Sequence, residues 1–210
     1  MRFIFLDGYK MDDKYFKING DDYRHIIANR YQPKDIIKAR YGDYVGNFVI
    51  SKIGSNYLFG EFFPEKKIKN PENYISLILG LPKDRALFPI LEKSAEIGIK
   101  DIFITPTVNS DRKDINENKF ERMKKIVKES CIQSGNYFIP CINYFESLTK
   151  ILEKMNDNYT LKLLLDENCI DSTNLFDIYS KYCIESFSRK VIFVGPEGGI
   201  TEEERNNFTK

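Results

Sequence analysis

The alternation of apolar and polar positions changes character near residue 70. Before that point the apolar positions fall in short runs rich in β-branched and aromatic residues, most clearly at 43–50 and 57–63. Gly54-Ser55-Asn56, which separates these two runs, is typical of a turn. Short strands at this spacing predict a small β-barrel. The lysine-rich stretch 64–71 that follows is predicted to be a polar linker.

After residue 73, apolar strands alternate with amphipathic helices. The apolar runs predict five strands, at 74–80, 102–105, 138–142, 161–165 and 191–194. One helical face precedes Gly98 and comprises Leu87, Ile90, Leu91, Ser94 and Ala95. A second helix is predicted from about 116 to 134. The alternation favours an α/β fold with a mostly parallel sheet covered by helices on both faces. We therefore expect two domains, 1–70 and 71–210, with the boundary within 64–73.

Charge separates the two predicted domains. Residues 1–70 hold 13 Lys and Arg against 9 Asp and Glu, whereas residues 71–210 hold 19 against 22. A mildly basic first domain is typical of an RNA-contacting module, although chance variation in a lysine-rich chain gives the same excess. No apolar run is long enough to cross a bilayer, and the start does not resemble a secretory signal. We expect a cytoplasmic protein without a membrane partner.

Metal ligands are sparse along the chain. The four cysteines, Cys131, Cys141, Cys169 and Cys183, form no Cys-x-x-Cys pair, and His25 is the only histidine. A zinc site needs clustered ligands. The sequence therefore predicts reduced thiols and no metal.

The most specific motif is a glycine-rich loop at the end of the last predicted strand. Gly195-Pro196-Glu197-Gly198-Gly199 follows the strand, and Thr201 with Glu204 forms a capping box that begins a helix. Ligands of open α/β sheets bind at the carboxyl ends of the strands, where glycine permits close approach of the backbone. The loop lacks both phosphate-binding glycine patterns and carries an acid. A neutral or cationic ligand fits it better than a phosphate does.

Four segments together resemble the ribosomal RNA small-subunit uridine-N3 methyltransferases, which belong to the knotted SPOUT class. The segments are the loop 195–199, Lys83 with the helix segment 93–99, the strand and loop 102–111, and 129–135 with Pro140. The resemblance implies a PUA-like RNA-binding barrel over 1–70 and a knotted methyltransferase domain over 71–210. It implies S-adenosylmethionine as methyl donor, no metal, ribosomal RNA or the small ribosomal subunit as partner, and a homodimer.

The resemblance also assigns candidate residues. It places the methyl donor against Leu165, Asp166, Gly195, Pro196, Glu197, Gly198 and Gly199. It implies RNA contacts for Arg30, Arg40, Lys83, Arg112 and Arg122. No residue stands out as the base that removes the uridine N3 proton, and the candidates for catalysis are Arg112, Gln133 and Glu197.

The chain departs from the family pattern at several points. Family members continue past the glycine-rich loop into an arginine-containing segment that closes the knot and supplies one wall of the donor pocket. Here the sequence stops at Lys210, so we expect an incomplete knot and weak donor binding. Asn136 stands where the family has arginine, and Arg112 is shifted by one position. The barrel's His-and-Arg motif corresponds either to His25 with Arg30 or to the segment ending at Arg40.

Three functions are consistent with these features. The first is methylation of uridine N3 in small-subunit ribosomal RNA. The second is RNA binding without catalysis, on the same fold. The third is methylation of another RNA position, such as a ribose 2′-oxygen.

Overall fold

The structure is a computed structural model that describes residues 3–155, 159, 161–166, 176–178 and 189–209. Two compact units make up the chain. The first comprises 1–70 with 129–137, and the second comprises 71–128 with 138–210. The segment 129–137 therefore groups with the first unit, whereas the sequence-based division placed it in the second domain. The fold is mixed α/β, with a parallel sheet in one unit and a curled half-barrel sheet in the other.

The first unit is built on a five-stranded sheet in the order β1-β3-β4-β5-β2. Its elements are β1 (Phe3–Phe5), β2 (Tyr15–Asn19), α1 (Gly20–Ala28), β3 (Ile36–Tyr41), β4 (Tyr44–Ile53) and β5 (Tyr57–Lys67). Neighbouring strands are antiparallel except β1 and β3, which are parallel. The predicted runs 43–50 and 57–63 correspond to β4 and β5, and both strands extend further than predicted.

Alternation along these strands separates the core of the first unit from its outer surface. Phe16 and Ile18 of β2 and Phe48 and Ile50 of β4 point inward and are buried. The alternate residues of β2, such as Tyr15 and Lys17, face outward. This period of two is the pattern of a sheet with one covered face.

The predicted linker 64–71 is wrong in its first half, because β5 continues to Lys67. Pro64 lies opposite Gly46 at a register shift between Val45 and Gly46. Proline, which has no N–H group, is tolerated in a strand at such an irregularity. A Cβ on Gly46 would lie 2.0 Å from the carbonyl oxygen of Phe63, so the close approach requires glycine there.

The second unit contains a parallel sheet in the order β8-β7-β6-β10-β9. Its elements are β6 (Tyr74–Gly80), α2 (Asp84–Ile97), β7 (Asp101–Thr105), α3 (Glu117–Ser134), β8 (Cys141–Tyr144), α4 (Leu148–Met155), β9 (Leu161–Leu165), β10 (Arg189–Val194) and α5 (Glu202–Thr209). Helix α3 begins in the second unit, and its last residues belong to the first. Strand β8 begins after Pro140 rather than at 138, because the chain enters the ladder with the Cys141 N–H donating to the Lys100 carbonyl, at 2.9 Å.

Both faces of the parallel sheet are covered. On one face, Ile78, Phe103 and Phe193 pack in a cluster with Ile151 of α4 and Phe208 of α5. The side chains at the alternate positions of these strands, which point to the other face, are buried as well, namely Leu77, Leu79, Ile102 and Ile104. Burial on both faces explains why these strands are continuous apolar runs rather than alternating ones.

The helix boundaries follow local chemistry. Helix α2 buries Leu87, Leu91, Ser94 and Ala95 and ends at Gly98, which adopts a left-handed conformation. Asn116 caps α3 by accepting the Lys119 N–H at 2.9 Å. Gly135, with φ of 80°, ends the same helix, and its N–H donates to the Cys131 carbonyl. In the described part of the chain, no helix has the length and apolar character needed to cross a membrane.

Candidate active site

The carboxyl ends of three adjacent parallel strands meet at one edge of the second unit. Val194 of β10 pairs with Leu79 of β6 on one side and with Leu165 of β9 on the other. Ligand sites of open α/β sheets occupy this position. The loops that leave β6, β7 and β10 carry most of the residues that the sequence singled out.

The glycine-rich loop after β10 folds into a β-turn. The Gly199 N–H donates to the Pro196 carbonyl at 2.9 Å, and Gly199 has a φ of 73°. Glu197 and Gly198, at the tip, are exposed. Within the described residues, the backbone N–H groups of these two residues have no hydrogen-bond partner. The turn therefore offers two backbone donors to a ligand.

Close packing explains two of the glycines in this region. A Cβ on Gly198 would lie 3.0 Å from both the Cβ and the carbonyl oxygen of Asn109. A Cβ on Gly80 would lie 2.7 Å from Cδ of Pro196. A side chain at 198 would thus press on Asn109, so glycine suits the close approach of the loop to the chain that follows β7.

Glu197 connects the loop to the start of α2. Both of its carboxylate oxygens lie 3.2 Å from the backbone nitrogen of Lys83, whose N–H they accept. Lys83 is the N-cap residue of α2 and makes no side-chain cap of its own. A carboxylate at a helix N-terminus is stabilised by the unpaired N–H groups and the helix dipole. Because the carboxylate is engaged here, the geometry favours a positioning role for Glu197.

Asn109 and Glu204 connect the loop to the residues after β7. The Asn109 side-chain amide donates to the carbonyls of Gly198 at 3.0 Å and of Gly199 at 3.3 Å. Glu204 accepts the Val108 N–H at 2.8 Å. Glu204 also accepts the Thr201 N–H at 2.9 Å, while the Thr201 hydroxyl accepts the Glu204 N–H at 3.2 Å. The predicted capping box is confirmed. Sequence reasoning missed Asn109, which lies in the loop that follows β7.

Asp166 and Leu165, at the end of β9, differ in their surroundings. The Asp166 side chain is 3% exposed and forms an ion pair with Arg205 of α5, at 2.5 Å. Arg205 was not singled out by sequence reasoning. Leu165 is 57% exposed and presents apolar surface at the sheet edge. Leu165 is therefore accessible to a ligand, whereas the carboxylate of Asp166 is committed to the protein.

A group of charged side chains surrounds the start of α2. Asp84 pairs with Arg112 at 3.2 Å and with Lys119 at 2.5 Å. The Lys119 hydrogen bond, together with the charges of Lys119 and Arg112, holds the pKa of Asp84 below its usual range. Lys83 pairs with Asp111 at 3.1 Å, and both side chains are largely exposed. Exposed pairs of this kind contribute little stability and exchange readily for other partners.

Arg122 and Gln133, both on α3, lie in different settings. The Arg122 guanidinium stacks over the Phe88 ring, 4.3 Å from its centre. Gln133 is exposed and belongs to the first unit by its contacts. Ser134 next to it donates its hydroxyl hydrogen to the Ser130 carbonyl at 2.8 Å. The Gln-Ser-Gly motif is thus the end of a helix with one exposed amide side chain.

Arg30 and Arg40 lie in the first unit. Arg30 is exposed, with a φ of 61°, in the turn after α1. Arg40, in β3, donates Nε–H to the Gly42 carbonyl at 2.8 Å and a second N–H to the Tyr137 carbonyl. These contacts hold the Arg40 side chain in place, whereas His25 and Arg30 are open to solvent.

A family model described as RNA methyltransferase domain matches residues 69–210. The chain belongs to the RNA methyltransferase family. This methyltransferase is 25% identical over 195 residues to ribosomal RNA small subunit methyltransferase E of Mesomycoplasma hyopneumoniae (strain 232), a match that covers 91% of this chain and 80% of the relative. It is 28% identical to the protein of that name from Bacillus subtilis (strain 168), covering 93% of this chain and 78% of that one.

Solved structures share its fold. A ribosomal RNA small subunit methyltransferase E from Neisseria gonorrhoeae, bound to S-adenosyl methionine, superposes with a TM-score of 0.82 and 22% identity, covering 100% of this chain and 85% of that one. A putative methyltransferase from Legionella pneumophila, in complex with SAM, gives 0.82 and 19%, covering 99% and 85%. The chain therefore has the mixed fold of those proteins. The family model over residues 69–210 is what assigns it as an enzyme.

The supply of metal ligands and thiols in this methyltransferase is limited. Within the described ranges, no three His, Cys, Asp or Glu side chains gather closely enough to hold a metal ion. Of the two cysteines that the structure describes, Cys131 is buried and Cys141 is exposed. The other two cysteines of the sequence lie outside the described residues.

Proposed function

We propose that this enzyme transfers a methyl group from S-adenosylmethionine to N3 of a uridine in small-subunit ribosomal RNA. The observation that carries the proposal is the glycine-rich turn at the sheet edge, where two backbone N–H groups have no partner among the described residues and three strand ends lie beside the turn. The relatives named as ribosomal RNA small subunit methyltransferases support the substrate. The relatives bound to the donor support the cofactor.

The residues present fit S-adenosylmethionine. The N–H groups of Glu197 and Gly198 can donate to the polar oxygens or ring nitrogens of the donor. Exposed Leu165 offers apolar surface to a planar base. We assign Leu165, Asp166 and Gly195–Gly199 to the donor site, with Asp166 acting through its pair with Arg205. S-adenosylmethionine carries no phosphate, so the carboxylate of Glu197 would not repel it.

When bound, the donor supplies an electrophilic methyl group on a sulfonium. The chain's own contribution is to hold the donor and the uridine ring in line, and positioning of this kind is worth about 7–11 kcal/mol of barrier. Glu197, Asn109 and Glu204 fix the turn to the neighbouring loops, so that its donors do not reorganise on binding. A uridine that loses its N3 proton becomes anionic, and a cation beside it stabilises that charge.

Our candidate for this cation is Arg112. Its side chain is 60% exposed, and its pair with Asp84, at 3.2 Å, is a surface pair that RNA can replace. Lys119 already satisfies Asp84 and would continue to do so. Lys83 and Arg122 remain candidates for RNA contact, and Gln133 remains a candidate for catalysis. In the first unit, Arg30 is open to solvent, whereas Arg40 is held by two carbonyls.

We also propose a knotted-methyltransferase-type arrangement of the second unit, a PUA-like RNA-binding role for residues 1–70, a homodimer, and a cytoplasmic location. Each is implied by the resemblance to small-subunit methyltransferases.

Calorimetric titration with S-adenosylmethionine tests the donor site. The protein should carry every residue that its gene encodes. Gly198→Val should remove measurable binding, because a branched side chain would push the turn away from Asn109 and displace its donors. Ile97→Ala, at an exposed position of α2, serves as the control and should bind as the wild type does. A folded Gly198→Val protein with normal affinity would exclude the turn from the site.

A further inference from the structure

The first unit contains a groove that methyl transfer does not require. It lies between the turn that precedes β2, the hairpin between β3 and β4, and strand β5, and its volume is about 600 Å³. This volume is within the range of sites for ligands the size of a nucleotide. We call it the aromatic groove, because its walls are formed mainly by the side chains of Tyr15, Tyr41, Tyr44, Phe62 and Pro64.

The rings divide into a fixed floor and an accessible rim. Tyr41 and Phe62 pack in the core of the unit, with ring centres 6.4 Å apart. Tyr15 and Tyr44 are 43% and 44% exposed. A planar ligand in the groove can therefore lie over a fixed floor and stack against the accessible rings of Tyr15 and Tyr44.

Lysines stand over these same rings. Lys10 Nζ lies 5.6 Å from the centre of the Tyr41 ring, and Lys67 Nζ lies 5.9 Å from that of Tyr44. Lys14 Nζ lies 5.4 Å from the Tyr15 ring but also pairs with Glu61 at 3.0 Å. Among the described residues, neither Lys10 nor Lys67 has an ion pair. The groove thus combines planar apolar walls with two nearby lysines, Lys10 and Lys67, that have no ion pair among the described residues, and with the acids Asp12 and Asp13 in its lining.

Two acids in the groove restrict where a ligand that carries phosphates can place them. Asp12 and Asp13 line one side of it, and Asp12 accepts the Asp13 N–H at 2.7 Å. Their carboxylates would repel a phosphate but can accept hydrogen bonds from the N–H groups of a base. Phosphates are therefore expected on the side of Lys10 and Lys67, with the base edge towards the acids.

We propose that the aromatic groove binds an unpaired base of single-stranded RNA, while the lysines contact the flanking phosphates. Aromatic platforms beside positive charge are the way proteins hold single strands. A cationic peptide would suit the acids and the rings, but Lys10 and Lys67, whose Nζ atoms lie over the Tyr41 and Tyr44 rings, would repel it there. The inference rests on the proposed function, because an RNA substrate is what brings a single strand to this chain.

Fluorescence anisotropy with labelled hexaadenylate tests the proposal on the full-length protein. Tyr15→Ala and Tyr44→Ala should each weaken binding about 5- to 150-fold, the loss expected when one stacked base loses its ring. Tyr44→Phe keeps the ring and should restore affinity to within about twofold. Lys10→Gln and Lys67→Gln should each reduce the slope of log affinity against log salt by about 0.7.

Tyr57→Ala is the matched control. Tyr57 also has a lysine over its ring, with Lys17 Nζ 5.0 Å away, but it lies outside the groove. Its replacement should leave hexaadenylate affinity unchanged. Circular dichroism confirms that each variant is folded before its affinity is compared.

Three results would overturn the proposal. The first is equal loss of affinity in Tyr57→Ala and Tyr44→Ala, and the second is tighter binding of a hexa-arginine peptide or of duplex RNA than of hexaadenylate. The third is no hexaadenylate binding by the wild-type protein. In each case a separate assay of methyl transfer to ribosomal RNA would still show whether the proposed function is right.

Discussion

At the scale of single residues, the type of a side chain in the candidate site does not determine what it does there. Glu197 was a candidate for catalysis because it is an acid in a ligand-type loop. Its carboxylate instead accepts the Lys83 N–H at the start of α2. Sequence could not show this, because Lys83 and Glu197 are 114 positions apart. Asn109 was overlooked for the same reason, since its contacts with Gly198 and Gly199 also span long separations.

Replacing Glu197 should therefore affect stability and the donor site together. Glu197→Ala removes the acceptor of the Lys83 N–H and should lower the free energy of unfolding by about 0.5–2 kcal/mol, as the loss of a helix cap does. Glu197→Gln retains an acceptor oxygen and should lose less. Urea denaturation measures both variants. Glu203→Ala, an exposed acid on α5, is the control and should stay within about 0.5 kcal/mol of the wild type. Equal stability of Glu197→Ala and the wild type would contradict the positioning role.

The two described thiols should differ in reactivity. Burial raises the pKa of the Cys131 thiol to about 12, so at pH 8 only about one molecule in ten thousand carries the reactive thiolate. Cys141 is exposed. Iodoacetamide followed by peptide mass mapping should show Cys141 alkylated in the native protein and Cys131 alkylated only after denaturation. Labelling of native Cys131 at the rate of Cys141 would show that the end of α3 opens.

At the scale of elements, local chemistry could be predicted and long-range pairing could not. Gly98 as the end of α2 and the Thr201–Glu204 capping box depend on neighbours within a few positions, and both were predicted. Among the described elements, three strands (β1, β2 and β3) and two helices (α1 and α4) were missed. Strand β1 is only three residues long, and α1 carries charges in its first turn. The linker was placed too early because a proline ordinarily argues against a strand.

The capping box provides a test at this scale. Thr201→Ala should destabilise the protein by about 0.5–2 kcal/mol, because the Glu204 N–H loses its acceptor at the start of α5. Thr209→Ala removes the same atoms from the exposed far end of that helix, and it should cost less than about 0.5 kcal/mol. Urea denaturation compares the two. A reversed order of stabilities would mean that α5 is not held at its first turn.

Limited proteolysis tests the boundary of the first unit. Lys66 and Lys67 pair with β4 and should be protected, whereas Lys69 lies beyond the strand in an exposed segment. Trypsin should therefore cut first after Lys69. A first cut after Lys66 or Lys67, identified by mass spectrometry, would show that the end of β5 is not stably paired.

At the scale of the whole molecule, the fold class could be predicted from two clear patterns. Short apolar runs before residue 70 indicate strands, and apolar runs alternate with amphipathic helices after residue 73. The runs at 74–80 and 161–165 coincide with β6 and β9. What the pattern could not supply is the strand order, in which β10 lies between β6 and β9. That order brings the glycine-rich turn beside Lys83 and Asn109. The assignment of 129–137 to the first unit was also beyond the pattern, because a continuous helix gives no sign of a boundary.

The proposed homodimer is a prediction at the same scale. Sedimentation equilibrium at micromolar concentration should give twice the mass of the chain. A monomer at those concentrations would contradict the proposed homodimer. The donor site on the second unit would then have to be complete within one chain.

The most direct test of the central claim is to identify the product nucleoside. Unmethylated small ribosomal subunits should be incubated with the protein and S-adenosylmethionine, and their RNA digested to nucleosides for mass spectrometry. The account predicts that N3-methyluridine appears in small-subunit RNA, is absent with large subunits, and falls sharply with Gly198→Val. Methylation at a ribose 2′-oxygen or at another base, or no methylation by a protein that binds the donor, would contradict it.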